Sequence, residues 1–237
     1  MRIVAVSMVV VVLLASVSTG ARAGLQEAKD AYEKKDYKAM LQQLRPLVDK
    51  GVPEAIFYVG LMYDNGEGVT QSYTKAKEWY LRAAKLGYAP AQTNLGWVLQ
   101  MGINTEISDK EAAAWYFQAA NQGYAPAQYN IGLMYYAGRG GIQKDPREAA
   151  SWFRKAAEQG YAPAQDSLAE MYQYGQGVLV SLIEAYKWYT LAAFAGHESA
   201  NAHMLAIEKM LDPEMLAQGR TLAQEWLAKR KNTASPY

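Results

Sequence analysis

The stretch Gly123–Gln159, GYAPAQYNIGLMYYAGRGGIQKDPREAASWFRKAAEQ, decides the fold, because its pattern recurs on both sides of it. The glycines that open the pattern, Gly51, Gly87, Gly123, Gly160 and Gly196, stand 36, 36, 37 and 36 residues apart. Three further series keep the same step: Trp79, Trp115, Trp152, Trp188; Gly66, Gly102, Gly138, Gly175; and Gly60, Gly96, Gly132, Ala169. The extra residue of the 37-residue copy falls between Gly138 and Trp152, in RGGIQKDP, where a loop can absorb it. A fixed period of this size marks a stacked repeat array in which each unit packs mainly on its neighbours. One continuous, all-α solenoid is therefore expected.

Four units, 51–86, 87–122, 123–159 and 160–195, share one grammar. Pro53, Pro90, Pro126 and Pro163 sit where a first helical turn needs no amide donor, and so open a helix A. That helix carries Leu95, Ile131 or Leu168, then the small Gly96, Gly132 or Ala169, with an aromatic such as Tyr135 four residues after Ile131, all on one face. The small residue predicts close approach of a partner helix, because glycine otherwise costs a helix about 1 kcal/mol relative to alanine. Gly66, Gly102, Gly138 and Gly175 suit a left-handed stop. GEGV and GQGV then read as inter-helix turns; neither completes a phosphate-binding G-x-G-x-x-G or follows a strand. Helix B carries an alanine, then Trp-Tyr or Trp-Phe, then paired alanines, as in Ala149, Trp152-Phe153 and Ala156-Ala157. The four tryptophans are read as core, the alternative being a row of aromatic ligand platforms.

The ends depart from the grammar. Residues 24–50 read as a degenerate helix pair and 196–237 as capping helices and a tail, since terminal repeats need one solvent-facing side. Residues 1–23 have a positive start, an apolar run from Ile3 to Ala15 and an Ala21-Arg22-Ala23 end, the pattern of a secretory signal peptide. The apolar run is too short to favour a stable membrane span. A periplasmic or secreted location is expected, with no stable span after cleavage.

Removing residues 1–23 takes away Arg2 and Arg22 and no acid, leaving 22 basic and 23 acidic residues. A near-neutral chain gives no electrostatic case for nucleic-acid binding. The absence of cysteine rules out disulfides and thiol chemistry, and, with no cysteine after the apolar run, lipidation at the N-terminus. Candidate catalytic groups are few. His197 and His203 are six apart, off the spacing that puts two ligands on one helical face. Ser72-Tyr73-Thr74-Lys75 matches S-x-x-K, but the companion S-D-N and K-T-G motifs are missing and Ser72 falls where a helix B should start. No catalytic residue, cofactor or metal is assigned, and the chain is read as a non-enzyme.

The unit A-x-A-Q-x-x-L-G-x-M-Y-x-x-G-x-G-V, followed by A-x-x-W-Y-x-x-A-A-x-x-G, resembles the Sel-one-like repeat family, a relative of the tetratricopeptide repeat. Ala125–Gly160 carries nearly all of it and Ala55–Gly87 most of it. The second unit departs, with MGINTEI in place of the G-x-G-V loop and Trp97-Val98-Leu99 in place of x-Met-Tyr. The resemblance implies a right-handed α-solenoid of antiparallel helix pairs that serves as an adaptor for a protein or peptide partner; the chain is expected to be a monomer. It also implies that helix A lines the concave groove. Mapped onto this chain, the groove positions are Phe57, Leu61, Asp64 and Asn65; Thr93, Trp97, Gln100 and Met101; Tyr129, Leu133 and Tyr136; Asp166, Glu170, Gln173 and Tyr174. The competing place for the aromatics among them is the core. Two other functions stay open at this point: an envelope enzyme of the penicillin-binding or β-lactamase type, and a binder of cell-wall glycan.

Overall fold

The computed structural model describes residues 20–103 and 106–233 as twelve helices, with no strand among the described residues. They are α1 (20–33), α2 (Tyr37–Asp49), α3 (Pro53–Asn65), α4 (Tyr73–Lys85), α5 (Ala89–Met101), α6 (Asp109–Asn121), α7 (Ala125–Ala137), α8 (Pro146–Glu158), α9 (Ala162–Tyr174), α10 (Leu182–Phe194), α11 (Ala200–Glu208) and α12 (Pro213–Thr233). Of the expected leader, residues 1–19 lie outside the described residues, and 20–23 form the start of α1. The chain divides into two compact units, Met1–Ile107 and Ser108–Tyr237. The division falls where MGINTEI replaces the usual loop, so α5 belongs to the first unit and α6 to the second.

Within each unit the repeats are built alike. Helices A are α3, α5, α7 and α9, and helices B are α4, α6, α8 and α10. Every helix B is capped by a side chain at its start: Ser72 accepts from Lys75 N, Ser108 from Glu111 N, Asp145 from Arg147 N and Glu148 N, and Ser181 from Glu184 N. Such caps are worth about 1 kcal/mol each. Helices A have no side-chain cap and start instead with proline at their first or second position. Each ends on a left-handed glycine, Gly66, Gly102, Gly138 or Gly175. The loop that follows is pinned by one backbone bond, Ser72 N to Tyr63 O, Asp145 N to Tyr135 O, or Ser181 N to Tyr172 O.

The second glycine of the G-x-G loops has a separate task. A Cβ on Gly68 would lie 2.5 Å from Tyr37 Cβ at the start of α2, and one on Gly140 would lie 2.7 Å from Asp109 O at the start of α6. At Gly177 a Cβ would run into the carbonyl of Pro146, the first residue of α8. The G-x-G stretches are thus seats for the first turn of the preceding repeat's second helix. The loop of the 37-residue repeat, 138–145, has one residue more than 66–72 or 175–181. Gly141, with nothing within 4 Å of its Cβ position, stands there in open space at φ +77.

In α3 and α7 helix A meets its helix B at the small residue. A Cβ on Gly60 would be 2.8 Å from the Tyr80 ring, and one on Gly132 2.5 Å from the Phe153 ring. Here the tryptophan expectation needs correcting. The deeply buried aromatic is the residue after tryptophan: Tyr80 and Tyr116 are 0% exposed, Phe153 and Tyr189 2%. Trp79, Trp115 and Trp152 are only half-buried; in α8 the position one step round the helix from Phe153 meets α6. Trp152 packs edge-on with Phe117 of α6 at 6.2 Å and carries Lys155 over its ring at 3.9 Å. Only Trp188 is fully buried, against Trp226 of α12, 6.4 Å away. Burying a phenylalanine such as Phe153 stabilises by about 1.5–3 kcal/mol.

Three glutamines complete the core. Gln92, Gln128 and Gln165 are buried in the first turn of helices A, and each donates its Nε2 to an alanine carbonyl at the end of the preceding helix B: Ala84 at 3.2 Å, Ala120 at 3.3 Å and Ala157 at 3.1 Å. They add a second bond to helix-end carbonyls that already accept the N–H of Gly87, Gly123 and Gly160.

Candidate functional site

The fifteen groove positions separate into three groups. Phe57 is buried between Tyr80 and Tyr88, with ring centroids 5.6 and 5.3 Å away, and Tyr129 is held the same way by Phe153 and Tyr161, at 5.5 Å each. Thr93 is buried and returns its hydroxyl to Ala89 O. These three belong to the core; Phe57 and Tyr129 do so because their position on helix A faces the tyrosine that leads into the next helix A.

A second group is engaged from the side. Asp64 accepts the phenol of Tyr80 at 2.7 Å, and Gln173 accepts that of Tyr189 at 2.9 Å. Burial, and after it the Asp64 carboxylate, pushes the Tyr80 phenol well above the usual tyrosine range, so it stays a donor. Asn65 donates to Glu67 at 3.3 Å. Asp166 is turned to the C-terminal segment, its Oδ1 3.0 Å from His203 Nδ1 and 3.9 Å from His197 Nδ1. The two histidines that looked chemically idle thus share one carboxylate. No group of three or more His, Cys, Asp or Glu among the described residues is placed to hold a metal ion.

The third group faces solvent. In the first unit, Leu61 is half-buried and Trp97 45% exposed at the same position of α3 and α5, with Met101 exposed and Gln100 half-buried one turn on. In the second, Leu133 is 39% exposed and Glu170 exposed at that position of α7 and α9, with Tyr174 61% exposed beyond. Leu133, Tyr136, Glu170, Ser167, Met171 and Gln176 border a small cavity of about 80 Å³ floored by Phe153. Tyr136 is fixed at its rim: its hydroxyl donates to Gln176 Oε1 at 3.2 Å, and Lys144 lies 5.9 Å from its ring. The second unit thus gathers Leu133, Tyr136 and Glu170 at one place. Ser167, Met171 and Gln176 were missed in the sequence; their contribution depends on how α7 and α9 pack, which no repeat column states. Ser72, of the S-x-x-K string, has its hydroxyl on Lys75 N as a helix cap, and Lys75 extends over Tyr63 at 5.1 Å from its ring.

Capped helical hairpins at a constant period, with an exposed mixed face on their first helices, define a repeat protein of the tetratricopeptide-like class. The Sel1 repeat model matches residues 53–88, 89–124, 125–161 and 162–197, and the chain belongs to that family. Among solved structures it is similar to a protective antigen of uropathogenic Escherichia coli with an SLR fold, at 31% identity and a TM-score of 0.73 over 84% of this chain. The chain spans 44% of that protein's length. It is also similar to a Sel1 repeat protein from Oxalobacter formigenes, at 33% identity and a TM-score of 0.65, covering 75% of this chain and 72% of the other. An immunity protein of Pseudomonas aeruginosa shares the fold at 20% identity and a TM-score of 0.53, over 85% of this chain and 82% of that one. Among curated proteins none matches.

Proposed function

We propose that this chain is an exported scaffold that holds a protein partner, as an extended or helical peptide, on the solvent face of its first helices. The observation that carries this is the side chain at one repeat position, exposed in Trp97, Leu133 and Glu170 and half-buried in Leu61. Large apolar groups held on rigid helices are the usual anchors of such contacts, because little side-chain freedom is lost when they are covered. Glu170 beside Leu133 and Tyr136 favours a peptide with an apolar residue next to a basic one. Sel1 repeats commonly mediate protein interactions, which supports the reading.

Export rests on the 1–23 pattern, and no helix among the described residues is long and apolar enough to cross a membrane. The envelope-enzyme alternative is not favoured, since Ser72 is occupied as a helix cap. The test is photo-crosslinking in cells from position 133, with mass-spectrometric identification of the captured protein, with Trp97 and Tyr136 present and in Trp97→Ala/Tyr136→Ala. Loss of the same captured protein in the double variant, with the helical circular dichroism spectrum retained, supports the face; undiminished capture refutes it. N-terminal sequencing should find Gly24 at the start of the mature chain in the periplasm or medium, and Met1 in the cytoplasm would refute export. Capture of murein fragments instead of protein would replace the partner with glycan.

A further inference from the structure

The second unit contains a cleft of about 380 Å³ between the start of α9, the end of α10 and the end of α12, lined by Gly160, Gln165, Leu191, Phe194, Ala195, Trp226, Leu227 and Arg230. Its size falls within the range of small-ligand sites. One of its walls carries a buried polar atom with no partner. Gln165 is 1% exposed and its Nε2 is bonded to Ala157 O, but its Oε1 receives no hydrogen bond. A buried acceptor left in this state is uncommon and costly.

The preceding repeat shows what is missing. There the equivalent glutamine, Gln128, accepts from Gln159 Nε2 at 2.7 Å. Gln159 is the residue that ends α8, at φ −79 and ψ −5; the residue that ends α10 is Ala195, at φ −79 and ψ 4. The backbone is the same and the donor is gone. Two more positions change with it, Lys155 to Leu191 and Glu158 to Phe194, as the repeat steps from α8 to α10. Leu191 is covered, whereas Phe194 remains 74% exposed. Packing of α12 thus explains one of the two apolar replacements and leaves the other facing the cleft. On the opposite wall the guanidinium of Arg230 lies over Trp226, 5.1 Å from its ring, and against Gly160.

We propose that this cleft binds the C-terminus of a peptide that ends in an apolar residue. The apolar side chain lies against Phe194, Trp226 and Leu227. The last amide N–H takes the place of the Gln159 side chain and donates to Gln165 Oε1. The terminal carboxylate lies towards Arg230. The site is separate from the helix-A face and stands or falls without it.

The probe is N-acetylphenylalanine, with N-acetylphenylalaninamide as its uncharged counterpart, titrated into the full-length protein while the Gln165 side-chain amide and Trp226 indole resonances are followed. Both should shift saturably, with the carboxylate binding at least about tenfold more tightly than the amide. Arg230→Gln should bring the two probes to equal affinity. Ala195→Gln restores the repeat's own donor on a compatible backbone; it should raise Tm and weaken the carboxylate probe at least about tenfold. No saturable shift at about 10 mM, tenfold above a millimolar Kd, overturns the proposal. So does undiminished binding by Ala195→Gln, or an Ala195→Gln protein whose Tm is not raised, since Oε1 was then not waiting for a donor there.

Discussion

Gly132→Ala isolates the contact on which each hairpin is built. On helix propensity alone the change should stabilise by about 1 kcal/mol. The added Cβ, however, would lie 2.5, 2.6 and 3.2 Å from Cε1, Cδ1 and Cζ of Phe153, where ordinary carbon contacts are about 3.5–4.0 Å. Phe153 is 2% exposed and its ring is backed by Tyr129 at 5.5 Å, so it has little room to withdraw. Overpacking of this severity belongs in the upper part of the usual range, about 2–3 kcal/mol. The net expectation is a loss of about 1–2 kcal/mol, or a Tm lowered by about 2–8 °C for a chain of this length. Thermal unfolding followed at 222 nm measures it. In a double-mutant cycle with Phe153→Leu, which withdraws the ring atoms concerned, the two changes should couple by about 1 kcal/mol or more. A Tm that rises in Gly132→Ala, or changes that simply add, would show that the glycine is not there for Phe153.

Two further expectations concern buried tyrosines and the S-x-x-K serine. Burial raises the phenols of Tyr80, Tyr116 and Tyr189, so their contribution is complete below the unfolded tyrosine pKa of about 10 and is lost as pH rises beyond it, because the unfolded chain ionises first. Tm should therefore be level up to about pH 9.5 and fall above it; tyrosinate absorbance from these residues appearing while the helix signal is intact would contradict this. Ser72→Ala should cost about 1 kcal/mol through loss of the α4 cap, and neither it nor wild type should form an adduct with a penicillin probe; an adduct on Ser72 would reinstate the enzyme.

The period made the hairpins and the glycine stops legible, because each is a local rule repeated four times. What it could not assign was the direction of a side chain within a shared column. Trp152 and Phe153 are adjacent and both aromatic, and the 100° between them on the helix decides which fills the Gly132 notch. The groove list met the same limit: Phe57 and Asp166 occupy one column, yet Phe57 is drawn into the core and Asp166 is taken by His203, a residue 37 positions on. The exposure of Trp97 was foreshadowed by its departure from the repeat's own rule. The orphaned oxygen of Gln165 depends on side-chain placement at the end of α10, which the repeat pattern does not state.

The seating of Gly140 on Asp109 and of Gly177 on Pro146 gives the array a direction. The third and fourth repeats each carry the mould for the one before, so a cassette of that kind inserted or removed as a whole leaves its mould filled, while a cut inside a loop leaves one empty. Removal of 125–161 would bring Gly177 to the seat on α6 that Gly140 now occupies. Chain length can therefore change in steps of one period with the joints preserved, and the MGINTEI loop, which lacks the second glycine, is the one joint in the array made to a different pattern.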